Sequence, residues 1–256
     1  MVKTVLHAQE VRKSYGVRGN IQQVLRGINL RVLEGEFVGI MGPSGSGKST
    51  LLNILATIDK ATEGTIFVED TDLSKMSNIE MAHFRRTKLG FIFQDYNLLD
   101  TLTVKENILL PVTLGKRNKA AAEADYQVLA KDLLIEEIGH QYPHEISGGQ
   151  RQRTSAARAL IHRPSIVFAD EPTGALDSKA ASTLLGILEG LNRERSITIM
   201  MVTHDPVASS YCSRVVFLKD GMIYSELYRG NKTRQAFFKE LINVQAVLGG
   251  DHVDTV

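Results

Sequence analysis

Apolar residues along this chain fall into two rhythms. Short runs rich in β-branched and aromatic residues recur at 4–11, 28–33, 37–41, 65–68, 89–93, 165–169, 196–203 and 214–218, and each predicts a strand. Three of them, 37–41, 165–169 and 196–203, are almost wholly apolar. That pattern predicts central strands of an α/β sheet, buried on both faces. The early runs alternate more, as antiparallel or edge strands do. Between about 104 and 145 the rhythm changes, and residues 120–134 are rich in Ala, Glu, Lys and Leu at helical spacing. This region predicts a mostly helical lobe inserted into the sheet domain. From about 231 onward Phe237, Leu241, Val244 and Leu248 form one helical stripe that stops at Gly249-Gly250, with frayed residues beyond.

Composition adds boundaries rather than detail. The chain has 256 residues, 43% hydrophobic and 23% charged, which suits one large globular domain with an inserted lobe. Lys+Arg 30 against Asp+Glu 29 leaves a net charge of +1, so no global nucleic-acid or membrane-surface footprint is expected. Cys212 is the single cysteine, so no intramolecular disulfide can form. No apolar run approaches the roughly 20 residues a membrane helix needs, and the N-terminal residues lack the pattern of a signal peptide. Any membrane role is therefore expected to come through a partner.

The chemistry is concentrated in a few places. Gly42-Pro43-Ser44-Gly45-Ser46-Gly47-Lys48-Ser49 matches G-x-x-x-x-G-K-[ST] without a mismatch. An apolar strand precedes it, and a helical run beginning at Thr50 follows. Glycines let consecutive N–H groups wrap a phosphate, and the helix N-terminus adds partial positive charge. Lys48 is expected to reach the β- and γ-phosphates of ATP, and Ser49 to ligate Mg2+. The apolar run 166–169 ends in Asp170 and Glu171. Ligands of parallel sheets sit beyond the carboxyl ends of strands, which puts Asp170 in the Mg2+ shell and Glu171 beside an attacking water.

A phosphate cradle is shared by many enzyme classes; Ile146-Ser147-Gly148-Gly149-Gln150 is not. With it the chain resembles the ABC ATPase family. Ser147, Gly148, Gly149 and Gln150 offer a hydroxyl and bare N–H groups at a helix start, a second anion site. The resemblance implies a head-to-tail nucleotide-sandwich dimer, in which the signature of one copy closes over ATP held by the other. It also implies an α/β fold with a P-loop NTPase (RecA-like) core at about 1–90 and 160–230, an antiparallel β subdomain, a helical lobe at about 91–159 and an extension at 231–256. Further matches follow in family order. Tyr15 fits the aromatic that stacks on adenine, and Gln94 fits the glutamine that touches Mg2+ or the water. Asp177, in Gly174-Ala175-Leu176-Asp177, fits the residue that reaches across the dimer, and His204 fits the histidine at the γ-phosphate. Gly174 stands where many members have Ser.

Residues 91–104, 168–177 and 203–208, with the tail, are similar to the Bce-type peptide-antibiotic resistance branch. That branch implies a bacterial protein at the cytoplasmic face of the membrane, coupled to an FtsX-like permease and through it to a sensor histidine kinase. Its job would be resistance to peptide antibiotics such as bacitracin, by export or target protection. The alternatives are a lipoprotein-release, macrolide-export or FtsE-like complex. A DNA-repair ABC ATPase is disfavoured because no heptad run separates cradle and signature, and an ABC translation factor because the chain has one cassette. Leu98, Leu99 and Leu102 are expected either to line a groove for a cytoplasmic helix of the permease or to belong to the core of the helical lobe.

Overall fold

The computed structural model describes residues 3–17, 20–115 and 118–250. Two long strands, β1 (Thr4–Val17) and β2 (Asn20–Leu33), pair antiparallel from Thr4↔Leu33 to Val17↔Asn20. Strand β3 (Phe37–Met41) runs through a loop into helix α1 (Lys48–Leu55). Strands β4 (Glu63–Val68) and β5 (Thr71–Asp72) complete a first sheet, ordered β2-β1-β4-β5. Helix α2 (Asn78–Lys88) and strand β6 (Leu89–Ile92) follow. Helices α3 (Val104–Thr113), α4 (Lys119–Asp132) and α5 (Gly148–Leu160) pack on one another. Then come β7 (Ile166–Asp170), α6 (Ser178–Arg195), β8 (Ile199–Val202), the short α7 (Pro206–Ser209), β9 (Arg214–Lys219), β10 (Met222–Tyr228) and α8 (Arg234–Gly250).

The second sheet has the order β10-β9-β3-β8-β7-β6. Its five strands from β9 to β6 are parallel, and β10 folds back antiparallel on β9. Parallel register brings strand ends to one edge: Ile40 and Asp170 both lie opposite Val202. The cradle after β3, the acids at the end of β7 and the histidine after β8 therefore emerge together. Alternation divides the core. Val167, Ala169, Ile199, Met201, Val215 and Phe217 face one side, with α5, α6 and α8. Ile166, Phe168, Met200, Val202, Val216 and Leu218 face the other, with α1 and the first sheet.

Several expectations need adjustment. The first strand runs on past residue 11 to Val17, because β2 pairs with its half-polar end, and this puts Tyr15 on a strand. Strands β5 and β10 and helices α2, α6 and α7 were not foreseen. β10 is an edge strand with no fully buried residue, so it shows little of the pattern that betrays a buried strand. The tail helix forms as expected: Phe237, Leu241 and Leu248 are buried against the chain's own core, with Val244 packed beside them. It ends at Gly250, within the Gly249-Gly250 pair where the stripe was expected to stop. The expected fraying concerns 251–256, outside the described residues. Among the described residues no helix is long and apolar enough to cross a membrane.

Candidate active site

The cradle is shaped by two glycines. Gly42 has φ 151°, and a Cβ there would lie 2.2 Å from the Leu218 carbonyl oxygen. Gly47 caps α1 in a left-handed conformation, φ 97°. Neither position admits an ordinary side chain without strain. Between them, the N–H groups of Ser44, Gly45 and Gly47 meet no acceptor among the described residues. Such a run of free N–H groups before a helix start is an anion-binding nest. The Lys48 Nζ donates to the carbonyls of Gly42 and Pro43, both at 2.9 Å. Burial lowers the Lys48 pKa, with Glu171 and Asp170 opposing that shift. The Ser46 Oγ is buried without a partner, while Ser44, Gly45 and Ser49 are exposed and Pro43 with them.

Beside this loop stand two carboxylates of different character. Asp170 is half-buried, and its Oδ1 is sealed off without a hydrogen-bond partner. Burial raises its pKa, and Glu171 adds to the shift while Lys48 works against it. An orphaned, partly desolvated carboxylate oxygen close enough to Lys48 to feel its charge, taken with the exposed hydroxyl of Ser49 next to that lysine in the chain, is a donor set that suits Mg2+, which takes one or two carboxylates and completes its shell with phosphates and water. Glu171 has φ 43°, unusual for a non-glycine residue, and its N–H donates to the Val202 carbonyl at 2.9 Å. Its Oε1 accepts from the His204 backbone N–H at 3.1 Å and from His204 Nδ1–H at 2.9 Å. The His204 side chain is 75% exposed against 19% for that of Glu171, so the pair points an exposed histidine outward from a largely buried acid. Backbone strain held at such a place is a mark of functional sites.

Tyr15 stands on the cradle's other flank. Its hydroxyl donates to Asp59 Oδ2 at 2.6 Å, and the Thr50 side chain lies within hydrogen-bonding reach. Lys13 Nζ bonds Asp59 Oδ1 at 2.7 Å and lies 4.6 Å from the ring centroid. Tyr15 as a whole is 44% exposed. Asp59 was missed from sequence, since nothing marks a lone acid as the anchor of a tyrosine in a distant strand.

Gln94 follows β6 and lies exposed against Gly174. The segment around it is strapped to α5. Fully buried Gln152 donates from Nε2 to the carbonyls of Phe93 at 3.0 Å and Pro172 at 2.7 Å. Arg158 donates to the carbonyls of Asn97 and Tyr96 at 2.6 and 2.8 Å. One helix thus ties the segment after β6 to the turn after Glu171. Sequence reasoning passed over both residues. The available signal was polar side chains on the inward face of an otherwise Ala-rich helix.

The signature starts that same helix. Ser147 Oγ accepts from the Gln150 N–H at 3.3 Å, and Gln150 Oε1 accepts from the Ser147 N–H at 2.9 Å, a complete capping box. Asp177 caps α6 without the reciprocal bond of a box, accepting from the Ala180 N–H at 2.9 Å. Ser147, Gly148, Gly149, Asp177 and Lys179 line one cleft of about 400 Å3, and no cradle residue contributes to it. The site residues thus occupy two surfaces of one chain. A second cleft, of about 520 Å3, opens where the α3 end meets the sheet edge. Its apolar lining includes Ile58, Phe91, Phe93, Pro111 and Leu114. Leu98, Leu99 and Leu102 do not line it, although Asn97 and Arg158 do.

Comparison with known proteins agrees with this geometry. Residues 25–174 match the ABC transporter family. The bacitracin export ATP-binding protein BceA of Halalkalibacterium halodurans is 59% identical over 96% of this chain and 97% of its own length. The ABC transporter cassette MJ0796 of Methanocaldococcus jannaschii, solved as a dimer, is similar with a TM-score of 0.79 at 39% identity, covering 87% of this chain and 98% of that one. A post-hydrolysis dimer of the same cassette, bound to ADP and Pi, gives a TM-score of 0.79 at 38% identity over the same shares.

Proposed function

The chain belongs to the ABC transporter family of ATP-binding subunits, and from that premise we propose that it powers an FtsX-like permease conferring resistance to peptide antibiotics of the bacitracin type. Its 59% identity to BceA over nearly the full length supports that branch. The chain would work at the cytoplasmic face of the membrane through the permease, which would also engage a sensor histidine kinase.

One observation carries the mechanistic reading. The phosphate cradle with Asp170, Glu171 and His204 lies on one surface, while Ser147 and Asp177 line a separate cleft. We infer that two copies join head to tail, each completing the other's site, and the dimeric cassettes of MJ0796 support this. ATP enters the nest at residues 42–47, with Tyr15 stacking on adenine, Thr50 flanking it and Lys48 exchanging two loop carbonyls for phosphate oxygens. Asp170, Ser49 and Gln94 would hold Mg2+, which when bound neutralises phosphate charge. Glu171 orients the attacking water and takes its proton. His204, already hydrogen-bonded to Glu171, reaches the γ-phosphate. Ser147 and the N–H groups of Gly148, Gly149 and Gln150 from the second copy close over that phosphate, with Asp177 beside them. Closure gives ATP contacts that the separated chains lack, and this difference biases the permease. A cytoplasmic helix of the permease fits the cleft at Phe91, Phe93, Pro111 and Leu114 better than the surface at Leu98.

The test is the dependence of ATPase specific activity on protein concentration. A shared site gives activity that rises with concentration and saturates; a flat response in dilute monomer rules the arrangement out. Branch assignment is tested by co-expressing the chain with its permease in a sensitive host and measuring bacitracin tolerance, which should fall to the host level with Glu171→Gln.

A further inference from the structure

Gly174 departs from the serine common in the family, and the structure suggests what the departure does. A Cβ at position 174 would lie 2.9 Å from Gln94 Nε2, 3.0 Å from its Cδ and 3.3 Å from its Cγ. The backbone at 174 lies outside the left-handed region, so alanine or serine would meet no conformational strain there. Gln94 is thus the obstacle. The Gly174 N–H donates to the Glu171 carbonyl at 2.9 Å, which fixes the turn that follows the proposed base. Among the described residues no hydrogen bond holds the Gln94 amide, and Asp170 Oδ1 has no donor. Shape alone keeps Gln94 where it lies.

We propose that Gly174 is a positioning residue: the space left by its missing side chain is a resting slot for Gln94. The inference rests on the reading of Gln94 as a cation contact given above. In the nucleotide-free chain Gln94 lies in the slot, against the turn that carries Glu171, and off the orphaned oxygen of Asp170. Binding a Mg2+–nucleotide then has to draw Gln94 out. A Cβ at 174 closes the slot, removes the competing state and leaves Gln94 free for the cation. Serine at this position in other members would mean a glutamine that does not rest on this turn.

The experiment uses the full chain and two readouts. First, the side-chain amide resonance of Gln94 is identified by its loss in Gln94→Ala, without nucleotide or metal. It should shift in Gly174→Ala. Second, binding of mant-ATP is titrated with Mg2+ and again in EDTA. Gly174→Ala should strengthen the Mg2+-dependent binding by about 3-fold, as removal of a well-populated competing state implies. Binding in EDTA should stay at the wild-type level, and the Mg2+ effect should vanish in Gln94→Ala/Gly174→Ala. An unshifted resonance overturns the slot. So does weaker Mg2+-dependent binding, a loss of binding in EDTA, or an effect of equal size in the Gln94→Ala background. A shifted resonance with unchanged Mg2+ dependence upholds the slot and removes only the cation role of Gln94.

Discussion

Around the cradle, Ser46 Oγ and Asp170 Oδ1 are buried without partners, Lys48 leans on two loop carbonyls, and Glu171 holds a positive φ. Around the signature, Ser147 and Gln150 close a capping box, and Asp177 caps its own helix. Both regions are read as meeting the same phosphate, yet at the cradle the residues read as ligand contacts lack partners, whereas Ser147 and Asp177 already serve as helix caps, although Arg151 Nε and Arg153 Nε beside them are buried without partners. The difference assigns an order of events. An unsatisfied surface gains most from its first ligand, because each buried polar group it pairs recovers a desolvation cost. Side chains that already cap helices have less to gain until a partner presents a charge to the helix N-terminus. ATP should therefore bind the cradle of the separate chain, and the signature should matter only on closure.

The strongest way to break this picture is Glu171→Gln. If Glu171 is the base, turnover falls by at least about 100-fold while ATP still binds. Near-normal turnover removes it from the role. The next largest effect belongs to Lys48→Ala. Losing a charge-assisted contact to phosphate should weaken mant-ATP binding by about 10-fold or more in dilute monomer; unchanged affinity there would deny the cradle its independence. Ser147→Ala probes the opposite region and should behave differently. Loss of the cap costs about 1 kcal/mol of stability, read as a Tm lower by about 2–4 °C. Monomer affinity for mant-ATP should hold within about 2-fold, while ATP-driven dimerisation in the Glu171→Gln background, followed by light scattering, weakens about 10-fold. Equal losses in monomer binding and dimerisation would erase the distinction between the two surfaces.

How much of this could be read from sequence follows the same division between local and distant partners. The buried strands β3, β7 and β8 announced themselves as apolar runs, and the cradle and the Asp170-Glu171 pair are contiguous motifs attached to them. Helix α2 was overlooked although Ser77 and Glu80 form a capping box that the pattern S-x-x-E encodes. The Tyr15–Asp59 bond and the Gln152 straps were out of reach for another reason. Their partners are 44, 59 and 20 residues away, and only the closed fold selects which carbonyl or carboxylate answers. The same holds for Gly174, whose odd identity was visible but whose meaning depends on where Gln94 comes to rest.

The smallest effect expected has the opposite sign and sharpens the comparison most. Asp170 carries a raised pKa because burial, and then the charge of Glu171, disfavour its ionised form more than Lys48 favours it. The folded chain therefore binds a proton at Asp170 more readily than the unfolded chain does. By linkage, this group's contribution to stability falls as pH rises from the ordinary aspartate range through the raised value. Asp170→Asn imitates the neutral form. Without nucleotide it should be more stable than the parent at neutral pH, by about 2 °C in Tm. That advantage should shrink as pH falls through the raised value, because the parent then takes up its own proton. The variant should lose the Mg2+-dependent part of mant-ATP binding. No equivalent gain is expected at Ser147 or Asp177, whose caps already serve the fold. A stabilised Asp177→Asn and a destabilised Asp170→Asn would reverse the assignment of which surface is kept incomplete for the ligand.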